Sequence, residues 1–148
     1  MFYLCEFELF PDEGAISAYP FGLEGATSGK DFREASEMAA DWLKGDADLR
    51  LMLGHNLPDL PLGNEPVHEG GRILLVGVDA NLENIDSVTA TEAAALLGVS
   101  RGRVTQMVNA GQLLGFRKGR NAYVSRTSVE VRLAEQPKAG RPRKALTA

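Results

Sequence analysis

Arg103, Gln106 and Asn109 stand three residues apart between Ser100 and Gly111, with Val104, Met107 and Val108 set among them. In an α-helix each residue advances about 100°, so Val104, Met107 and Val108 converge on one side. Gly102, Arg103, Gln106 and Asn109 are left on the other. Arg and Gln are suited to guanine and adenine edges respectively, through paired hydrogen bonds in a major groove. Ser100 and Arg101 open the segment, where free backbone N–H groups and positive charge favour a phosphate. Gly102 leaves room for close approach. Downstream, Arg117, Lys118, Gly119, Arg120 and Asn121 form a basic turn fitted to a sugar-phosphate backbone or an adjacent minor groove. Solvated helices and hairpins also carry such charges, so the elements that hold them decide the reading.

Thr89 and Glu92 have capping-box spacing, and Ala93, Ala94, Leu96 and Leu97 follow as a short helix that Gly98 can end. Val99 and Ser100 make a turn, Ser100 is a good N-cap, and a second helix is predicted from Arg101 to about Ala110, stopped by Gly111. Two short helices around a tight turn containing Gly are the signature of a helix-turn-helix. Leu113 to Phe116 and Ala122 to Val124 flank the basic turn as a hairpin, with Phe116 and Tyr123 able to return to the core. Ser125 to Glu135 is predicted as a closing helix, packed through Val129 and Leu133 or through Val131 and Leu133.

The stretches Val88 to Ala94, Leu97-Gly98-Val99-Ser100, Val104 and Asn109 to Leu113 resemble the winged helix-turn-helix of excisionase-like and MerR-like DNA-binding domains. The resemblance implies that the second helix enters the major groove and that the hairpin supports it as a wing. Gly102 and Ala110 leave fewer long side chains on that helix than many members carry.

Charge is divided along the chain in a way that fits. Up to Asp86 there are 5 Lys/Arg against 17 Asp/Glu, and from Ser87 onward 11 against 3, so the two parts carry −12 and +8 within an overall −4. Affinity for DNA comes largely from neutralising phosphates, so the average of −4 misleads and the basic part is the candidate for nucleic acid. With 44% hydrophobic and 24% charged residues the chain lies in the globular range.

In the acidic part, Tyr3, Cys5, Phe7 and Leu9 alternate with Glu6 and Glu8, a period of two that predicts a strand with the glutamates on its solvated side. Pro11 to Gly14 turns the chain into a second strand at Ala15 to Tyr19, and a short third is expected around Gly25 to Thr27. Asp31 and Glu34 have capping-box spacing ahead of a helix carrying Phe32, Ala35, Ala39, Trp42 and Leu43. Gly45 to Asp48 is read as its break, before a short turn at Leu49 to Leu53. A Pro-punctuated loop holds Leu57, Pro58, Leu60, Pro61 and Leu62, and Arg72 to Asp79 is a strand. Phe7 with the Pro11 to Gly14 turn, Tyr19-Pro20-Phe21, Gly25, Thr27 and Gly29, Glu34-Ala35 and the Leu57-Pro58 to Pro61 loop resemble the HicB-type antitoxin, a partial RNase H-like fold. Where members usually show an Asp-Leu-Pro-Gly-Cys-like turn, this chain has Phe21-Gly22-Leu23-Glu24-Gly25. The resemblance implies dimerisation and capture of a small RNA-cleaving HicA-type toxin.

Glu6, Glu8, Asp12, Glu13, Glu24 and Asp41 could in principle supply a carboxylate pair for acid/base or metal-assisted chemistry, but charges on the solvated side of a strand are ordinary. His55 and His68 lie in a loop-rich stretch and read as surface histidines. No phosphate loop with Lys-Ser/Thr and no nucleophile elbow is present. The single Cys5 excludes an intrachain disulfide and fits a reducing cytoplasm. The longest apolar runs, such as Ile73 to Val78, fall far short of the roughly 20 residues a bilayer requires. The expectation is therefore no catalytic residue, no cofactor, no metal and no membrane partner.

The last segment, from Pro137, is poor in apolar residues and is expected to be disordered. Its Gly140-Arg141-Pro142-Arg143 core is similar to an AT-hook, with Ala139 in place of the usual Arg, which implies contact of Arg141 and Arg143 with a narrow minor groove. The sequence thus predicts an α+β chain: an acidic β-β-β-α-β domain over residues 1–84, a winged helix-turn-helix over 87–135 and a basic disordered tail over 136–148. The implied function is a cytoplasmic, nucleoid-associated transcriptional regulator that binds double-stranded operator DNA as a homodimer or higher oligomer. In the HicB-like form it represses its own operon and neutralises a toxin; the alternative is an excisionase-like or architectural factor without a toxin.

Overall fold

The computed structural model describes residues 1–140, with side chains through residue 135. The chain divides into two compact units, Met1–Asn81 and a second that begins at Leu82. The first holds β1 (Phe2–Asp12), β2 (Ala15–Pro20), β3 (Thr27–Gly29), α1 (Phe32–Met52) and β4 (Arg72–Asp79). The second holds a 3-10 turn (Leu82–Asn84), β5 (Ser87–Thr89), α2 (Ala90–Leu97), α3 (Arg101–Asn109), β6 (Gly115–Lys118), β7 (Asn121–Ser125) and α4 (Arg126–Gly140). Among the described residues no helix is long and apolar enough to cross a membrane.

In the first unit the four strands form one antiparallel sheet in the order β3-β2-β1-β4. The alternation of β1 sends Tyr3, Cys5, Phe7 and Leu9 toward α1, whose Ala35, Ala39, Leu43 and Ala47 are fully buried at four-residue spacing. Three alanines in that stripe let the helix axis lie close to the sheet. Gly29 serves the same approach, because a Cβ there would run into the backbone N of Ala35. Phe7 meets the Trp42 ring edge-on at 6.0 Å. The third strand lies two residues beyond its expected place.

The helix does not break at Gly45. An exposed mid-helix glycine costs about 1 kcal/mol, which the following turns offset. Ala47 is buried there, and the i,i+4 pairs Lys44–Asp48 and Asp46–Arg50 close at 2.8 Å each. The expected separate turn at Leu49 to Leu53 is the end of this one helix.

The face of the sheet turned away from α1 is not simply solvated, which corrects the reading of β1. Glu8 is 2% exposed. Its carboxylate accepts the backbone N–H groups of Val67 (3.0 Å) and His68 (2.8 Å), and it meets His68 Nδ1 at 3.1 Å. Glu6 likewise accepts from the backbone and side-chain amide of Asn64, at 2.8 and 2.7 Å. The His68 ring stacks on Phe10 with centroids 3.6 Å apart. His68 is therefore a partnered residue, and the two carboxylates hold the segment between α1 and β4 against the sheet. Burial alone would raise the Glu8 carboxyl, but the N–H donors of His68 and Val67 outweigh it and hold it below the ordinary glutamate value.

Burial pushes the Cys5 thiol up to about 11, so almost no thiolate exists in the folded chain at mildly alkaline pH. Ellman's reagent is expected to leave the native protein unlabelled and to titrate one thiol after denaturation. Fast labelling of the native chain would show that the β1–α1 core opens readily.

Candidate nucleic-acid interface

Residues 82–86 fall in the second unit, and Asp86 is tied into it through Arg126. Ile85 is buried, and Asp86 accepts from the Arg126 backbone at 3.0 Å and from Arg126 Nε at 3.1 Å. β5 pairs with β7 through Ser87–Ser125 and Thr89–Tyr123, and β7 pairs with β6, giving a small sheet in the order β5-β7-β6.

The helix pair is fixed by local chemistry. Thr89 Oγ accepts the Glu92 N–H at 3.1 Å, while the Glu92 carboxylate accepts the Thr89 N–H at 2.8 Å, a complete capping box that starts α2. Gly98 ends it at φ 70°, in the left-handed region, and turns Val99 N–H back onto the Ala94 carbonyl at 3.0 Å. Ser100 Oγ then accepts Arg103 N–H at 3.0 Å and starts α3. Val104 and Met107 are buried against Ala93, Ala94 and Leu97, with Val108 half-buried beside them. The α3 surface left outside consists of Arg101, Gly102, Arg103, Thr105, Gln106 and Asn109, all exposed.

Past α3, Leu113 is buried, and the chain enters the β6–β7 hairpin, closed by Gly119 and Arg120. Phe116 is buried and Tyr123 half-buried, with ring centroids 6.1 Å apart. Arg117 donates from Nη2 to the Arg120 carbonyl at 2.9 Å, which ties the turn, and Lys118 Nζ sits 4.5 Å from the Tyr123 ring centroid. Behind the hairpin, Ser128 Oγ accepts Leu114 N–H at 3.1 Å. α4 packs through Val129 and Leu133, while Val131 is exposed. The helix continues to Gly140, past the end expected at Glu135. Arg141 and Arg143, with the AT-hook-like core, lie outside the described residues.

The candidate residues fall into three groups. Arg103 Nη1 lies 3.4 Å from Gln106 Oε1, so these two share the outer face of α3. Arg101, Arg120 and Asn121 line one open cleft of about 550 Å³ with Thr89, Thr91 and Tyr123. Asn109 and Arg117 line a second groove, of about 330 Å³, between α3 and the hairpin. Ser100 uses its oxygen as a helix cap, and Lys118 lies over Tyr123. Thr89, Thr91 and Tyr123 were not singled out from sequence as interface residues; the capping box that starts α2 marks Thr89 as the entry to that helix, and no sequence signal marks Thr91. From residue 93 to residue 129 the chain carries six Lys/Arg and no Asp or Glu. The surface made by α3 and the hairpin therefore contains no carboxylate to repel a phosphate backbone.

Residues 87–137 match the family model of a helix-turn-helix domain. No curated protein and no solved structure matches the chain. The second unit thus carries a helix-turn-helix domain of the DNA-binding kind.

Proposed function

We propose that this protein is a sequence-specific transcriptional regulator that binds its operator through α3 and uses the β6–β7 hairpin as a wing. The observation that carries the proposal is the carboxylate-free face joining the outward Arg103–Gln106 pair to Arg101, Arg117, Lys118 and Arg120 on a matched helix-turn-helix. Arg103 and Gln106 read base edges in the major groove, Asn109 lies at the end of the same face, and the cleft shared by Arg101, Arg120 and Asn121 takes the phosphate backbone. Two copies on one palindromic site set two reading helices about one helical turn apart.

The acidic unit extends the proposal. Its β-β-β-α-β order agrees with the HicB-like resemblance, which supports a role as an antitoxin that represses its own operon and captures a small basic RNase. Co-expression with a small basic partner encoded beside the gene checks that role: rescue of growth supports it, and continued toxicity removes it while leaving DNA binding intact.

Regulation itself is tested by capturing the protein on its own upstream region and on random DNA of equal length over a salt series. Preference for the upstream region that survives physiological salt is the expected result, whereas equal, steeply salt-sensitive binding to both would overturn sequence-specific regulation. In the same assay, Lys118→Ala with Arg120→Ala is expected to weaken binding to both DNAs alike. Loss of two phosphate contacts should flatten the log–log salt slope by about 2. An unchanged slope would take the hairpin off the DNA.

A further inference from the structure

Thr105 is exposed on α3 and has no part in the reading above. It stands four residues after Arg101 and four before Asn109, so the three form one row along the helix. That row borders the β6–β7 hairpin. Arg101 lines the cleft with Arg120 and Asn121, while Thr105 and Asn109 line the groove of about 330 Å³ between α3 and the hairpin. At 100° per residue Arg103 falls off this row, on the far side of Gln106. The hairpin lies close against α3 because Gly115 has no side chain; a Cβ there would fall 2.8 Å from Val108. Thr105 Oγ1 donates to the Arg101 carbonyl at 3.3 Å, which leaves the Cγ2 methyl as the unengaged end of the side chain. With the half-buried Val108 and the exposed Ala122, that methyl gives the groove an apolar wall on a surface that is otherwise polar and basic.

We propose that this wall is a subsite for the C5-methyl group of a thymine, which gives α3 a second reading position on its hairpin side. The inference rests on the proposed entry of α3 into the major groove. Base edges there present hydrogen-bond donors and acceptors, and in unmodified DNA the thymine methyl is the one projecting apolar group. A methyl-lined wall therefore has one natural counterpart on the bases. 5-Methylcytosine carries the same group, and the side chain next along the row decides between the two sources. Asn109 offers an amide, with one acceptor and an NH₂ donor. Adenine presents the matching N7 acceptor and N6 donor, whereas the guanine that pairs with 5-methylcytosine presents two acceptors. Thr105 and Asn109 together thus select an A·T step, Thr105 through the thymine methyl and Asn109 through the adenine edge.

The test pairs a change in the base with a change in the side chain, using the full chain and a duplex it selects from a random pool. Each thymine of that duplex is replaced in turn by uracil, which differs only in lacking the methyl. At one position per bound α3, the wild type is expected to bind about 3- to 5-fold less tightly, the effect of exposing one buried methyl-sized group. Thr105→Ser keeps the hydroxyl and removes the methyl, so it should show that loss on the thymine duplex and no further loss with uracil. Thr105→Val keeps a methyl and removes the hydroxyl, and should stay sensitive to uracil. A 5-methylcytosine·guanine pair at the same position keeps the methyl but removes the adenine; the wild type should bind it less well, and Asn109→Ala should no longer tell the two pairs apart. On random DNA the Thr105 variants should match the wild type, with unchanged circular dichroism. Uracil that is silent at every position, or that costs wild type and Thr105→Ser equally, would overturn the subsite while leaving the Arg103–Gln106 reading intact. Full affinity for the 5-methylcytosine pair would overturn the assignment to thymine. If no duplex is preferred over the pool, sequence-specific regulation fails and the subsite fails with it.

Discussion

Glu8→Ala is expected to lower the unfolding free energy by roughly 2 to 4 kcal/mol, the largest single-residue effect outside the apolar cores. Hydrogen bonds to a charged acceptor contribute about 1.5 to 3 kcal/mol each, and buried donors left without a partner cost a similar amount. Glu8 takes two backbone N–H groups and the His68 imidazole, but Val67 and His68 are themselves exposed, so water recovers part of the loss. The effect has a pH signature. A carboxylate whose folded pKa lies below its unfolded value stabilises the fold above the unfolded pKa, and that contribution disappears as pH falls through the folded value. The difference between wild type and Glu8→Ala in urea unfolding should therefore be full near neutrality and shrink below about pH 4. Proteolysis after His68 should accelerate in the variant. An unchanged urea midpoint at neutral pH would mean that the 63–68 segment holds its place without the carboxylate.

Arg103→Ala and Gln106→Ala should each cost about 1 to 3 kcal/mol on the preferred operator and relax base preference at the contacted positions, because each good bidentate contact discriminates by that amount. On random DNA, Gln106→Ala should be nearly silent and Arg103→Ala should lose only its share of charge. The two effects are not expected to add. Arg103 Nη1 and Gln106 Oε1 are 3.4 Å apart, so each side chain helps orient the other, and the double variant should fall short of the sum. Quantitative binding to the selected site and to scrambled DNA measures this; equal losses on both would assign α3 to the backbone rather than the bases.

How much was legible in the sequence tracks how local the deciding contact is. The Thr89–Glu92 box, the Gly98 turn and the Ser100 cap each involve residues no more than five apart, and all three stand where the sequence put them. The packed side of α3 follows from helical period alone. What failed was non-local. Strand alternation places Glu6 and Glu8 opposite Phe7 and Leu9, but it cannot tell that residues 64–68 return, about sixty positions later, to cover them. β5 was missed because three residues with partners at 123–125 leave no periodic trace. Gly45 suggests a break only until Ala47 is seen in the core. Among the interface residues, the sequence could name the basic ones, but sorting them into the Arg103–Gln106 pair, the Arg101–Arg120–Asn121 cleft and the Asn109–Arg117 groove required three elements to be in place.

The sheet order β3-β2-β1-β4 has a consequence for how the chain is made. β1 leaves the ribosome before the other strands of its sheet and lies in the sheet's interior, yet its second neighbour, β4, ends at Asp79. At roughly 5 to 20 residues per second, the 59 residues from the end of β2 at Pro20 to Asp79 leave β1 paired with β2 without β4 for on the order of 3 to 12 s. During that interval one side of β1 and the carboxylate of Glu8 are open to solvent, and nascent chains crowded on one messenger present the same apolar edge to one another. Slower synthesis through residues 21–79 is therefore expected to lower the yield of correctly folded protein without changing the stability of the finished sheet.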